Sequence, residues 1–274
     1  MTGKARSAEE RGTGKGIHGK REAAAGAWEG FWTIILAAGK GKRMKSDLAK
    51  VLHPVGGVPM LTHPITAARA AGSRRIVVVI GHQAERIRDL FDKEDLTFVE
   101  QRDQQGTGHA VLQAREVCRG YDGAIVILCG DVPLILPETV RALHDRHRSE
   151  RAVVTVLTTI PATPAGYGRV VKAHDGTLLR IVEDKDATSE ERQIREINTG
   201  IYCVESRFLF ASLAGLGNRN AQGEYYLTDI VEIASGKGLR VASALAADPA
   251  EVMGINTPEE LETAGRRMGM RGRT

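Results

Sequence analysis

Thr33-Ile-Ile-Leu-Ala-Ala-Gly39-Lys-Gly-Lys-Arg43-Met-Lys-Ser46 is the stretch on which the fold turns. A short apolar run of strand length, with β-branched residues at its start, passes directly into glycines and four cations. Small residues at the end of a buried strand let backbone N–H groups approach an anion, and clustered Lys and Arg neutralise it. The stretch is therefore a candidate phosphate-binding loop after a first core strand. Met44 stands where the second glycine of a G-x-x-x-x-G-K-[ST] loop would fall, and also where the third glycine of G-x-G-x-x-G would fall. Both the P-loop ATPase and the dinucleotide-binding dehydrogenase readings fail there.

Outward from that strand, β-rich runs alternate with amphipathic segments. Strands are expected at 33–38, 76–80, 96–100, 124–128 and 152–159, and helices at 59–71, 83–91, 107–118 and 137–147. This alternation predicts an α/β, Rossmann-like mixed, mostly parallel sheet with helices on both faces and ligands at the carboxyl ends of its strands. The second half differs. Residues 169–183 read as two strands around Asp175-Gly176, a hairpin signal. A strand at 197–204, helices at 206–214 and 228–235, a strand at 240–246 and a helix after Thr257 follow. Thr257-Pro258-Glu259-Glu260 is a helix start, with an N-cap threonine, proline at the first position and acids in the first turn.

The 274 residues are 42% hydrophobic, 26% charged and 4% aromatic, enough apolar material for a substantial core and far from fibrous or wholly disordered composition. No apolar run approaches the ~20 residues of a membrane helix, so no membrane partner is expected. Cys118, Cys129 and Cys203 are too scattered for a disulfide framework or a metal cluster, which fits a reducing cytoplasm. Of the formal charge of +4, the two ends (1–30 and 266–274) contribute +6 and the segment between them −2. The basicity is therefore that of solvated ends, not of a nucleic-acid face, and no nucleic-acid partner is expected. Residues 1–30 hold almost no large apolar side chains and are expected to be a disordered extension of a single domain over 31–274.

Leu36 to Met44, Lys50-Val-Leu-His53 and Gly57-Val-Pro-Met60 resemble the opening signature of the sugar-nucleotide pyrophosphorylases. Further blocks follow in the same order: Gln101 with Gly106-Thr-Gly-His-Ala110, Gly130-Asp131-Val-Pro-Leu134, Tyr167-Gly168-Arg169, Glu196-Ile-Asn198-Thr-Gly-Ile-Tyr202, Asn220 to Asp229, and Val252-Met-Gly-Ile-Asn256. The ordered set is similar to the uridylyltransferase half of the bacterial bifunctional uridylyltransferase/acetyltransferases. That resemblance implies the nucleotide-diphospho-sugar transferase fold and the reaction of UTP with N-acetylglucosamine 1-phosphate to give UDP-N-acetylglucosamine and pyrophosphate.

A sugar phosphate is already an anionic nucleophile near neutral pH, because a phosphomonoester's second pKa is ~6. Such an enzyme supplies positioning and charge neutralisation, not a nucleophilic side chain. By resemblance, Arg43, Lys50 and Asp131 carry the chemistry, and Asp131 and Asn256 hold Mg2+. Uracil is read around Leu36, Ala37, Ala38, Gly39, Gln101, Gly106 and Thr107, and the sugar is held by Gly168, Glu183 and Asn198. On position alone, Asp131 reads first as an ordinary turn aspartate before Pro133 and Arg43 and Lys50 as surface charges, while Asn256 can cap the following helix as well as contact a metal. His109 has no second base or nucleophile spaced for it and reads as a hydrogen-bonded structural histidine.

Cys129 stands where the family commonly carries tyrosine, Lys42 where it often has threonine, and Ala49 where it has proline. The hexapeptide-repeat β-helix of the bifunctional relatives has no counterpart in this sequence. The expectation is uridylyl without acetyl transfer, and no trimer built on a β-helix. Two alternatives stand beside it: a transferase of the same fold for another sugar 1-phosphate or NTP, and a silent nucleotide-sugar sensor.

Overall fold

The computed structural model describes Met1 and residues 30–271. The expectation of disorder for residues 1–30 thus lies almost wholly outside the described residues. In chain order the elements are β1 (Phe31–Ala37), β2 (Pro54–Val55), β3 (Val58–Pro59), α1 (Thr62–Ala71), β4 (Ser73–Ile80), α2 (Ala84–Leu90) and β5 (Thr97–Glu100). Next come α3 (Thr107–Leu112), β6 (Ala124–Cys129), α4 (Pro137–Ser149), β7 (Val154–Thr159), β8 (Arg169–Lys172) and β9 (Leu178–Val182). The chain continues through β10 (Ile197–Glu205), α5 (Ser206–Leu213), α6 (Asp229–Gly236), β11 (Val241–Leu245), α7 (Pro249–Val252) and α8 (Pro258–Arg271).

The main sheet runs β11-β7-β10-β6-β1-β4-β5, with the β8–β9 hairpin joined through β10. Pairs β1–β4, β1–β6, β4–β5 and β11–β7 are parallel, whereas β10 lies antiparallel between β6 and β7. The sheet is mixed and mostly parallel, as its sequence pattern predicts.

Side chains alternate across the sheet because successive strand residues point to opposite faces. Ile35, Val78 and Leu128 pack with Ile65 of α1, Ile87 of α2 and Leu143 of α4. Their neighbours Ile34, Val77 and Ile127 pack with Val111 of α3, Leu209 of α5 and Ile230 of α6. Both faces are therefore covered, which explains why β4 and β6 read as continuous apolar runs instead of alternating ones. A smaller cluster of Val55, Met60, Leu134, Ile255 and Ala264 fastens α8 to the β2–β3 hairpin.

One expectation needs correction. The helix expected over 107–118 is α-helical only to Leu112, and Gln113, Ala114 and Arg115 continue in turns whose N–H groups reach three residues back. Apolar spacing reports the buried face, and Ala114 and Cys118 do stay buried. It does not distinguish α bonding from the tighter i→i+3 pattern. Among the described residues no helix is long and apolar enough to cross a membrane.

Candidate active site

The chain leaves β1 toward β4 and β5 on one side and toward β6 on the other, so the carboxyl end of β1 is a topological switch point, where open α/β sheets place their ligands. Leu36 is paired with Cys129 at the same edge, and Ala37 with Ile80. The main chain holds this edge together: Gly130 N donates to Leu36 O at 2.8 Å and His82 N to Ala38 O at 3.3 Å. A cleft of about 280 Å³ opens there, lined by Leu36, Ala37, Ala38, Gly39, Lys50, Gln101, Gly106, Thr107 and Asp131. Nine residues singled out in the sequence thus meet in one cavity.

Gln101 is 4% exposed, and its amide Nε2 donates to Gly106 O at 3.0 Å and lies 3.1 Å from His109 Nδ1. The other ring nitrogen of His109 lies 3.0 Å from the Gln113 amide. A neutral imidazole has one acceptor nitrogen, so one of these two amides donates to the ring, in keeping with the hydrogen-bonded structural reading of His109. Its role is to hold Gln101 in place, a link the sequence did not disclose. Besides the apolar Val51 and Ala110 and the Cys129 thiol, two polar lining residues were not among the predicted site residues. Gln104 donates to Ala38 O at 2.7 Å, and Glu224 lines the cleft beside Gly106. Thr107 Oγ1 accepts from Leu227 N at 3.1 Å, tying the 220–229 motif to this floor.

Asp131 follows β6 through Cys129-Gly130, and Ile255 N donates to its main-chain oxygen at 2.8 Å. The Lys50 ammonium forms an ion pair with Asp131 Oδ2 and donates to Asn256 Oδ1 at 3.0 Å. Residues 81 and 206 positions away from Lys50 in sequence therefore converge on one cation. The helix-cap reading of Asn256 gives way to its neighbour. Thr257 Oγ1 accepts from Glu260 N at 3.3 Å, while Glu260 accepts from the N–H groups of Asn256 and Thr257 at 2.6 and 3.1 Å. This reciprocal capping box leaves the Asn256 side chain free of capping duty. Its Nδ2 donates to Gly254 O at 3.1 Å, which turns Oδ1 toward Lys50.

Gly168, Glu183 and Asn198 form a second group beside the cleft. Asn198 N donates to Gly168 O at 2.8 Å, and Thr228 Oγ1 donates to Glu183 Oε1 at 3.1 Å. Cys129 joins the two groups, its Sγ 3.5 Å from Gly200 O, whose N–H is bonded to Asn198 Oδ1 at 3.0 Å. Burial raises the Cys129 thiol to about 12, and the charge of Asp131 adds to the effect, which keeps the sulfur in its neutral form. Arg43 is not among the lining residues. It is exposed on the 3-10 turn Lys42–Met44, and its charge reaches the Tyr167 phenol, which burial raises to about 12.

Burial also raises the Glu183 carboxyl, against the bond from Thr228 and with the nearby charges of Asp229, Asp186 and Glu224. Asp229 is itself pushed from 3.8 to about 6, first by burial and then by Glu232 and Asp186. An acid whose folded pKa exceeds its unfolded value weakens the fold above the folded pKa, and that penalty vanishes as pH falls toward the unfolded value. Asp229 is partly exposed, so after solvent screening the penalty is on the order of 1 kcal/mol. Asp229→Asn is expected to raise the thermal midpoint by about 2–4 °C at pH 7.5 and to give no gain at pH 4. Melting curves at the two pH values test it; an equal gain at both would remove the charge of Asp229 as the cause.

The chain is 56% identical over 234 residues to the "Bifunctional protein GlmU" of Geobacter metallireducens, an alignment covering 85% of this chain and 49% of that protein. It is 54% identical to the Geotalea uraniireducens protein of the same name over 88% of this chain and 52% of the relative. For the Desulfotalea psychrophila protein of that name the identity is 46%, over 87% of this chain and 70% of the relative. The chain spans about half the length of most of these curated relatives. Among solved structures, a candidate glucose-1-phosphate thymidylyltransferase from Bacillus anthracis, crystallised with a sucrose, superposes with a TM-score of 0.70. That match covers 86% of this chain and 94% of the other at 21% identity, and it speaks to the fold. Residues 33–198, which begin in β1 and end at Asn198, match the model of the MobA-like NTP transferase domain. The motifs, the cleft they share and these likenesses agree, and the chain belongs to the MobA-like NTP transferase domain family.

Proposed function

We propose that this chain transfers a uridylyl group from UTP to N-acetylglucosamine 1-phosphate, releasing pyrophosphate, with Mg2+ as cofactor. The observation that carries the reading is the cation position between Asp131 and Asn256 at the wall of the cleft lined by Leu36–Gly39, Gln101, Gly106 and Thr107. The donor set suits Mg2+. One carboxylate and one amide oxygen already converge on a positive charge, and Mg2+ takes one or two protein oxygens and fills its octahedron with phosphates and water. Bound there, the metal supplies neutralisation of charge on the reacting phosphates.

The remaining work falls to the chain itself. Gln101, whose amide nitrogen is held by Gly106 O beside His109, presents its remaining amide oxygen as an acceptor to the uracil edge. The loop from Ala38 to Met44 carries N–H groups and cations to the triphosphate, with Arg43 on its exposed rim. Lys50 neutralises the departing pyrophosphate. Gly168, Glu183 and Asn198 receive the sugar and hold its 1-phosphate in line, which concentrates the nucleophile where it must attack. The finer preference rests on the Cys129 boundary between the two groups, where a small thiol fills the position next to Gly200.

Pyrophosphate release from a matrix of NTPs and sugar 1-phosphates, with and without Mg2+, tests the reading. UTP with N-acetylglucosamine 1-phosphate is expected to exceed every other pair by at least about tenfold. Turnover with another pair alone would move the assignment to a different sugar or nucleotide, and binding without turnover would make the chain a sensor.

A further inference from the structure

The cation position between Asp131 and Asn256 is already filled, and the occupant is covalently part of the chain. Lys50 Nζ pairs with Asp131 Oδ2 and donates to Asn256 Oδ1 at 3.0 Å, with the Lys50 and Asp131 side chains only 14% and 21% exposed. A divalent cation using the same two oxygens cannot share that point with an ammonium, because like charges at such separation repel strongly in a partly desolvated site. We infer that Lys50 is an exchangeable counter-ion: it holds the cation position in the free protein, and an entering divalent cation displaces its ammonium toward the phosphate loop. This inference rests on the cation position proposed above.

The geometry gives the lysine somewhere to go. Gly41, with φ +62°, lies so close to the Lys50 stem that an added Cβ would stand 2.6 Å from Lys50 Cβ. The stem therefore runs along the phosphate loop, within reach of the anion that the loop would hold. Lys50 would thus be a positioning residue before it contacts substrate. In the free protein it keeps Asp131 and Asn256 aimed at one point and prevents two partly buried oxygens from facing each other without a cation. Metal entry is made less favourable by the loss of that pair, and it becomes more favourable once a phosphate gives the ammonium a new partner. Order of binding follows: the metal alone binds weakly, and the metal together with a polyphosphate binds well.

The test needs no nucleotide. Binding of Mn2+ alone to the purified protein, read from the loss of the free-ion EPR signal, is compared for wild type, Lys50→Met and Asp131→Asn. Lys50→Met keeps the length and apolar stem of the side chain but removes the competing charge, and should bind Mn2+ about tenfold or more tightly than wild type. Asp131→Asn should bind more weakly than wild type. Equal or weaker binding by Lys50→Met, or no binding by any of the three, overturns the inference. A second measurement uses the unaltered protein. Reductive methylation followed by peptide mass spectrometry should label Lys50 faster in the presence of Mg2+, because the displaced amine is more accessible. Unchanged labelling at Mg2+ concentrations that saturate the Mn2+ site would equally overturn it. Failure of the uridylyl-transfer reading would appear in the substrate matrix and leave both of these arms untouched.

Discussion

Asp131→Asn is expected to lower turnover by about 10²–10⁴-fold while leaving the fold intact. The two halves of that expectation have separate causes. Asp131 lies at the carboxyl edge of β6, fixed by its main chain: its oxygen accepts from Ile255 N at 2.8 Å, and the preceding Gly130 N is bonded to Leu36 O at 2.8 Å. An asparagine leaves these bonds untouched, fits the same volume and still offers Lys50 an oxygen. The ion pair it replaces is partly exposed and worth about 1 kcal/mol or less. What disappears is the negative charge that anchors a cation against the reacting phosphates, and that charge acts on the transition state. Steady-state pyrophosphate release, circular dichroism and a melting curve form the test. Turnover within tenfold of wild type, with an unchanged Mg2+ requirement, would remove Asp131 from the mechanism.

Much of this arrangement is legible in the sequence. The apolar runs at 33–38, 76–80 and 124–128 became β1, β4 and β6, because a strand covered on both faces tolerates a polar residue only where it finds a hydrogen-bond partner, as Thr33 does on Ser73. The Asp175-Gly176 turn became the β8–β9 hairpin, and Thr257-Pro-Glu-Glu260 became a capping box, since turn and cap chemistry is written in single residues. The two-residue strands β2 and β3 escaped notice because a pair so short has no periodicity. The antiparallel insertion of β10 also lay beyond the sequence, since a buried strand reads alike in either direction. The site divides the same way. Phosphate-loop character follows from composition after a strand, whereas the convergence of Lys50, Asp131 and Asn256 depends on pairings hundreds of atoms apart along the chain. The resemblance supplied those partners. It did not supply the Lys50 ammonium as the link between them, nor the use of His109 to hold Gln101, both of which are matters of side-chain distance.

Gly106→Ala is expected to damage both the fold and nucleotide binding, and the reason lies in the main chain. Gly106 has φ +108°, a conformation that side-chain-bearing residues rarely adopt. A Cβ placed there would stand 2.6 Å from Tyr225 O and 2.9 Å from both Tyr225 N and Glu224 Cβ. Two of these atoms are backbone and cannot rotate away. The segment around Gly106 is sewn to the 224–227 segment by Tyr225 N to Gln105 O and Gly108 N to Tyr225 O, each at 2.8 Å, and by Leu227 N to Thr107 Oγ1 at 3.1 Å. Relief of the clash must therefore open this seam. Backbone strain at such a glycine is of order 1–3 kcal/mol, and partial loss of the seam adds to it, so a destabilisation of about 2–4 kcal/mol is expected. The same movement displaces Gly106 O, the acceptor that fixes Gln101, and Thr107, which lines the cleft beside it. UTP affinity is expected to fall by about 100-fold, since the groups facing the base lose their alignment together. Calorimetric titration at a temperature where the variant is still folded separates the two effects. Near-normal UTP binding by a destabilised but folded variant would mean that this floor supports the fold without reading the nucleotide.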